Sequence, residues 1–236
     1  MARPSRQNRL LGSLDGIERA RLAPFIERVD LDSHQVLSSP QQPIEGVFFP
    51  VEAVASTLLE LVDGQTVEVG LMGAEGMTGL SLLFGVRRSN TTVVAQMPGT
   101  ADRMPARAFT CEVVERGGPF YRLLLRYANG FMEMTAQIGA CNASHSIEQR
   151  CARWILLAQD HVGGDTFPLT HEYLALMLGV RRAGVSGAAS ALRAIGAIDY
   201  GRGHIEVIDR ARLLQATCPC YAAMVTTMNA VFAAPN

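Results

Sequence analysis

The chain has 236 residues, a formal net charge of −1, and 48% hydrophobic against 18% charged residues. That length can bury a sizeable core and predicts two domains, and the balance excludes a disordered or a membrane protein. No apolar run approaches the ~18 residues that span a bilayer, and no continuous apolar segment follows the N-terminal arginines, so a signal peptide is not expected and the cytoplasm is the default location.

Residues 8–29 read as a short helical segment, with Leu10, Leu11, Leu14, Ile17, Leu22, Phe25, Ile26 and Val29 at helical intervals and Pro24 marking a break. From 34 to about 105 the signal changes to short strands: 46–49, then 54–61 with 66–71 around the hairpin signal Asp63-Gly64, then 91–97 with 100–104 turned at Pro98-Gly99. Such strands, punctuated by Gly and Pro, predict a small β-barrel or roll. Between them runs a glycine-rich stretch from Gly73 through Glu75 and Gly76 to Arg88-Ser89. Tight turns with exposed amides, an acid at one end and Arg88-Ser89 at the other would frame a phosphorylated ligand. The plainer alternative is a loop capping the barrel mouth, with Glu75 and Arg88 solvated or paired to each other.

Residues 119–145 form a long helical segment. Leu124, Phe131, Ile138 and His145 recur every seven residues, with Tyr127, Met134 and Cys141 between them. This 3-4 spacing resembles a coiled-coil seam, and a second copy of the chain is its simplest partner; a helix packed on its own barrel is the alternative. A further helix spans about 146–161, with Ile147, Trp154, Ile155 and Leu157 as its apolar side.

From 168 to 209 the chain reads as a short strand, two helices joined by a tight turn, and a hairpin. Thr170 suits an N-cap, Leu174, Leu176, Met177 and Leu178 form an apolar stripe, and Gly179 gives the turn its backbone freedom. The second helix begins near Arg181; Val185, Ala189 and Leu192 take one side, leaving Arg181, Arg182, Ser186 and Ser190 on the other. Arg202 tips a glycine-rich hairpin that reads as a wing. Between 181 and 204, Arg181, Arg182, Arg193 and Arg202 face a single acid, Asp199. Concentrated positive charge on a winged helix-turn-helix points to the DNA major groove rather than to protein contacts alone. The last stretch, from Tyr221 to Asn236, is apolar and helix-prone.

The order of β-roll, long helix and winged helix-turn-helix resembles the Crp/Fnr family of bacterial transcription regulators, over residues 20–215 or so. The resemblance implies an α+β fold, with a helical segment and a cyclic-nucleotide-binding-like roll at 1–118, a dimerisation helix at 119–145 and a winged DNA-binding domain with a tail at 146–236. It places Arg182 where the family reads guanine, a role bidentate donation explains. The usual following acid is Ala183 here, and the second base-reading arginine is Gly187. Arg181 and Ser186 would compensate, while Arg193 and Arg202 would sit nearer the backbone. Glu75, Gly76, Arg88 and Ser89 resemble the family's nucleotide cassette, but Glu75 is followed by Gly76-Met77, its separation from Arg88 is longer than usual, and Asn90 follows the serine. Cyclic AMP is therefore not the expected effector. No cysteine precedes Cys111, which removes an N-terminal iron–sulfur sensor.

The five cysteines (Cys111, Cys141, Cys151, Cys218 and Cys220) lack a zinc-like pair of pairs and read as reduced thiols. Cys218-Pro219-Cys220 is the one suggestive spacing, but no two further ligands lie near it in sequence, and no metal or cofactor is assigned. No catalytic constellation is expected either: His171-Glu172 lacks the second histidine of a zinc protease helix, and Cys141 with His145 is better explained by the helical seam. The expectation is a non-enzymatic homodimer that binds a near-palindromic operator. Thr170, Arg181, Arg182, Ser186, Ser190, Arg193 and Arg202 face the DNA, and the dimer seam is Leu124, Tyr127, Phe131, Met134, Ile138 and Cys141. A small-molecule effector of unassigned identity and RNA polymerase stand as further candidate partners; the rival is a sensor acting through protein contacts.

Overall fold

The computed structural model describes residues 7–233. The first arginines of the N-terminus and the end of the apolar tail, read above from sequence, lie outside the described residues. Two short helices, α1 (Arg9–Gly12) and α2 (Gly16–Leu22), open the fold. Buried Asn8 caps α1 through the amides of Leu10 and Leu11, and its side-chain amide donates to the carbonyls of Pro50 and Gly76. One residue thus ties this segment to the roll, because a buried amide must satisfy its donors as well as its acceptor.

The roll consists of two antiparallel sheets. One is ordered β1 (Glu27–Leu31), β7 (Gly99–Pro105), β3 (Gly46–Pro50), and the other β2 (Val36–Ser38), β6 (Thr92–Met97), β4 (Val54–Glu60), β5 (Thr66–Met72). The hairpin expected at Asp63-Gly64 joins β4 to β5. Two expectations need correction. Val29 lies in a strand, not at the end of a helix. The segments 91–97 and 100–104 do not pair: β6 joins β2 and β4, whereas β7 joins β1 and β3. The turn at Pro98-Gly99 carries the chain from one sheet to the other. Gly99, at φ +153°, passes so close to the 52–53 backbone that a Cβ would stand 2.6 Å from the Ala53 nitrogen, and the amides of Val51, Glu52 and Ala53 all point at the Thr100 carbonyl.

Beyond the roll, α3 (Ala106–Phe109) and a π-type turn lead to α4 (Pro119–Ser144), followed by α5 (Ile147–Val162). Ser146 caps α5 in a reciprocal box with Gln149. The C-terminal part contains β8 (Thr166–Pro168), α6 (His171–Leu178), α7 (Arg182–Ala194), β9 (Ile198–Gly201), β10 (His204–Val207), α8 (Arg210–Ala216) and α9 (Cys220–Val231), its sheet ordered β8-β10-β9. Helix α9 turns back along α4: a Cβ on Gly130 would lie 2.9 Å from Val231. Among the described residues, no helix is long and apolar enough to cross a membrane.

The expected inter-chain seam also needs correction. Leu124 and Tyr127 are buried in the core beneath the roll, with Phe49, Phe109 and Phe120. Met134, Ile138 and Cys141 enter a second core with Trp154, Ile155 and Met224, and Phe131 packs over Gly70. The chain covers this stripe with its own roll, α5 and α9. Period alone could not reveal that, since a 3-4 repeat specifies an apolar face and not the body that covers it. The side of α4 left exposed carries Arg122, Arg126, Asn129, Met132 and Glu133, and then the small residues Ala136, Gly139, Ala140 and Ala143.

Candidate functional site

The helix-turn-helix is built from local rules. The Thr170 hydroxyl accepts from the Tyr173 amide at 3.1 Å and caps α6. Gly179 ends α6 in the left-handed region, at φ +61°. Arg181 is the N-cap of α7 and Arg182 its first residue. Val185, Ala188, Ala189 and Leu192 are buried, whereas Arg182, Ala183, Gly187, Ser190 and Arg193 are exposed. The wing turn contains Arg202 at φ +51° and Gly203 at φ +81°.

Polar contacts hold these parts in register. His171 Nδ1 lies 3.2 Å from Ser186 Oγ, and Ser190 Oγ lies 3.2 Å from the Tyr200 hydroxyl. Arg193 pairs with Asp199 at 2.9 Å and lies over the Tyr200 ring. Burial, followed by the nearby Arg182 charge, lowers the His171 pKa. Ser186, Ser190 and Arg193 thus each have a partner within the domain. By contrast, the side chains of Arg181, Arg182 and Arg202 have no hydrogen-bond or ion-pair partner among the described residues. Three solvated guanidiniums at the start of α7 and the tip of the wing suit phosphate and base-edge acceptors.

The residues expected around an effector are dispersed. Glu75 faces His161 of α5, Oε2 to Nδ1 at 3.1 Å, and accepts from the Gly73 amide. Gly76 lies against Tyr127, whose hydroxyl would be 2.3 Å from an added Cβ. Arg88 is exposed and donates to the Gln41 carbonyl, while Ser89 bonds Thr91 at 3.0 Å. Of the four, only Ser89 lines the cavity of about 500 Å³ that lies between the roll and α4. Its walls include Thr57, Val69, Met72, Ser81, Phe84, Thr91, Phe131 and Thr135, and among the described residues no charged one lines it. Sequence reasoning missed this lining because its hydroxyls and apolar groups come singly from many elements.

Several contacts tie the roll to the C-terminal part. Buried Glu68 of β5 accepts from Trp154 Nε1 of α5 at 2.8 Å and from Ser56 Oγ at 2.6 Å. His34 Nδ1 lies 3.1 Å from the Tyr173 hydroxyl of α6. Gly179 fits against Val67, where a Cβ would meet a methyl at 2.8 Å. Away from these contacts, Cys141, His145, Cys218 and Cys220 converge where α4 ends.

Burial raises the Glu68 carboxyl to about 7, although the Ser56 and Trp154 hydrogen bonds and the Arg153 and His161 charges oppose it. The folded chain therefore holds this proton more tightly than the unfolded chain, and stability falls as pH rises from the ordinary 4.5 towards about 7. The Glu75–His161 pair does not contribute to that slope over most of the range. Burial would raise Glu75, yet His161 and the Gly73 amide bring it down to about 2, so its contribution is lost only below the ordinary 4.5. Burial would lower His161, yet Glu75 raises it, so its contribution is lost only above the ordinary 6.5. Glu68→Gln should flatten the fall, worth about 3 kcal/mol, in melting curves across this window. An unchanged slope would assign the effect to another group.

Comparison with known proteins adds the following. Residues 149–216 match the Crp-like helix-turn-helix domain. A transcriptional regulator of the Crp/Fnr family from Eubacterium rectale superposes with a TM-score of 0.65 at 16% identity, covering 88% of this chain and 96% of that one. FixK2 from Bradyrhizobium japonicum gives 0.65 at 16% identity, over 82% and 98% of the two chains. The c-di-GMP-responsive global regulator CLP of Xanthomonas campestris gives 0.63 at 14% identity, over 82% and 99%. No curated protein matches the chain by sequence.

Proposed function

Because the chain carries a Crp-like helix-turn-helix domain within the fold of the Crp/Fnr regulators, we propose that it is a dimeric, sequence-specific DNA-binding transcription regulator of the cytoplasm, without catalytic activity. The observation that carries this reading is the exposed face of α7, where Arg181 and Arg182 are solvated at the helix start and Arg202 at the wing tip. Arg182 is the base reader, offering a bidentate fork to guanine, and Arg181 and Arg202 bind phosphates and set the register. Two copies of α7 enter successive major grooves, with half-site centres about 10 bp apart, so the operator is near-palindromic. The C-terminal part of the exposed side of α4, with Ala136, Gly139, Ala140 and Ala143, is the dimer face, and RNA polymerase is the partner such a regulator addresses.

The uncharged cavity favours a neutral, largely apolar effector over a cyclic phosphate, which needs convergent cationic or amide donors. Such a ligand shifts the equilibrium between two placements of the DNA-binding heads only in so far as it prefers one of them.

Selection of bound duplexes from a random pool tests the proposal. A two-fold symmetric site is the expected product, and its binding should weaken steeply with salt as phosphate counterions are released. Weak association indifferent to salt would favour the rival role in protein contacts. Within that site, Arg182→Ala should lose about 1–3 kcal/mol and relax specificity at one base pair. Equal losses on specific and random DNA would remove Arg182 from base reading.

A further inference from the structure

The Sγ atoms of Cys141, Cys218 and Cys220 and a ring nitrogen of His145 all lie within 4.8 Å of one another. They come from distant parts of the chain. Cys141 and His145 stand one helical turn apart where α4 ends; Cys218 lies between α8 and α9, and Cys220, across Pro219 from it, is the first residue of α9. Cys141 Sγ is 3.5 Å from Cys218 Sγ, and Cys220 Sγ is 3.7 Å from His145 Nδ1. A tetrahedral zinc ion with bonds of about 2.3 Å to sulfur and 2.0 Å to nitrogen needs ligand–ligand edges of about 3.5–3.8 Å.

Three further observations fit an ion here. All three cysteines are buried, as the closed site of a structural ion requires. Gln137 donates from Nε2 to Cys220 Sγ at 3.1 Å, the kind of outer contact that orients a metal-bound thiolate. Two buried arginines of α5, Arg150 and Arg153, act electrostatically on Cys141. Neither forms a salt bridge among the described residues, and the Nε atoms of both lack a hydrogen-bond partner. Arg150 donates to the Leu178 carbonyl and Arg153 reaches only the Met224 sulfur at 3.7 Å; Glu68 is the buried acid that feels the Arg153 charge. Unpaired buried cations are costly. Three thiolates and a neutral imidazole around a divalent ion carry one net negative charge, which these arginines would offset.

We propose that Cys141, His145, Cys218 and Cys220 form a structural site for a single zinc ion. As the ion binds, each thiol releases its proton to solvent and His145 donates its neutral Nδ1 lone pair. The ion fastens the α8–α9 turn to the end of α4, at the joint through which α4 passes into α5. The site is independent of the DNA-binding reading: its presence or absence leaves that reading untouched.

The test uses the full-length protein purified without chelator. Elemental analysis should find one zinc ion per chain. After chelation and addition of cobalt(II), the spectrum should show the intense visible bands of tetrahedral cobalt and a thiolate charge-transfer band. Cys218→Ser with Cys220→Ser should abolish both signals, whereas Cys111→Ser, at an exposed thiol outside the cluster, should keep them. Should the double variant not fold, the wild-type stoichiometry and cobalt spectrum still decide. Metal-free protein with no tetrahedral cobalt spectrum would overturn the proposal. So would a Cys141–Cys218 disulfide in the intact protein, an iron–sulfur chromophore, or full zinc retention by a folded double variant.

Discussion

Trp154→Ala should destabilise the protein by about 3–5 kcal/mol, the range for deleting a buried aromatic side chain. Trp154 is 3% exposed in the core shared by α4, α5 and the C-terminal helices, a core that also takes in Val54 and Leu71 of the roll. Its indole N–H is also one of two side-chain donors to buried Glu68. Truncation therefore opens a cavity and leaves a carboxylate oxygen short of a partner, two penalties at one site. Trp154→Phe keeps much of the volume and loses only the donor, so its cost should be smaller, about 1–3 kcal/mol. Denaturant unfolding followed by circular dichroism measures both, since the chain has a single tryptophan. If Trp154→Ala cost no more than an exposed substitution, the junction between the roll and α5 would not contribute to global stability.

Gly139→Glu should have opposite effects on the single chain and on the assembly. Gly139 lies within α4 on its exposed side, and an added Cβ there meets nothing within 4 Å. Replacing a mid-helix glycine should make the isolated chain up to about 1 kcal/mol more stable. On the proposed dimer face, however, the same change puts two like charges into a close helix–helix contact. The dimer should dissociate, and operator affinity should fall on the order of 10²–10⁴-fold as the gain from linking two heads is lost. Sedimentation and DNA titration read the two effects separately. A dimer that persists would place the interface elsewhere on the chain.

How much was legible in the sequence follows from where each signal resides. Thr170, Gly179 and Gly203 mark the helix-turn-helix and its wing because a cap, a left-handed helix end and a tight hairpin turn are local events, decided by a few neighbouring residues. The heptad of α4 was equally visible, but its direction was not: Leu124, Tyr127, Met134 and Cys141 are covered by parts of the same chain that fold back from far away. The β6–β7 turn misled for a related reason. Pro98-Gly99 has the chemistry of a hairpin, yet Gly99 is shaped by the 52–53 backbone and not by its flanking strands. Glu75 has the composition of a ligand cassette, and only the fold brings His161 beside it. The four-residue cluster at the end of α4 was half visible, as Cys218 and Cys220, because its other half lies on a different helix.

The position of α9 also bears on how the protein is made. Residues 220–231 supply cover for α4, a helix that leaves the ribosome roughly a hundred residues earlier at a synthesis rate of about 5–20 residues per second. For several seconds the nascent chain therefore holds a helix whose side around Gly130, Met134 and Ile138 cannot yet be sealed by Met224, Met228 and Val231. A stalled or prematurely released chain would present that side to its surroundings. The window in which this side of α4 is open thus closes only once α9 has emerged, after the helix-turn-helix and its wing have been synthesised.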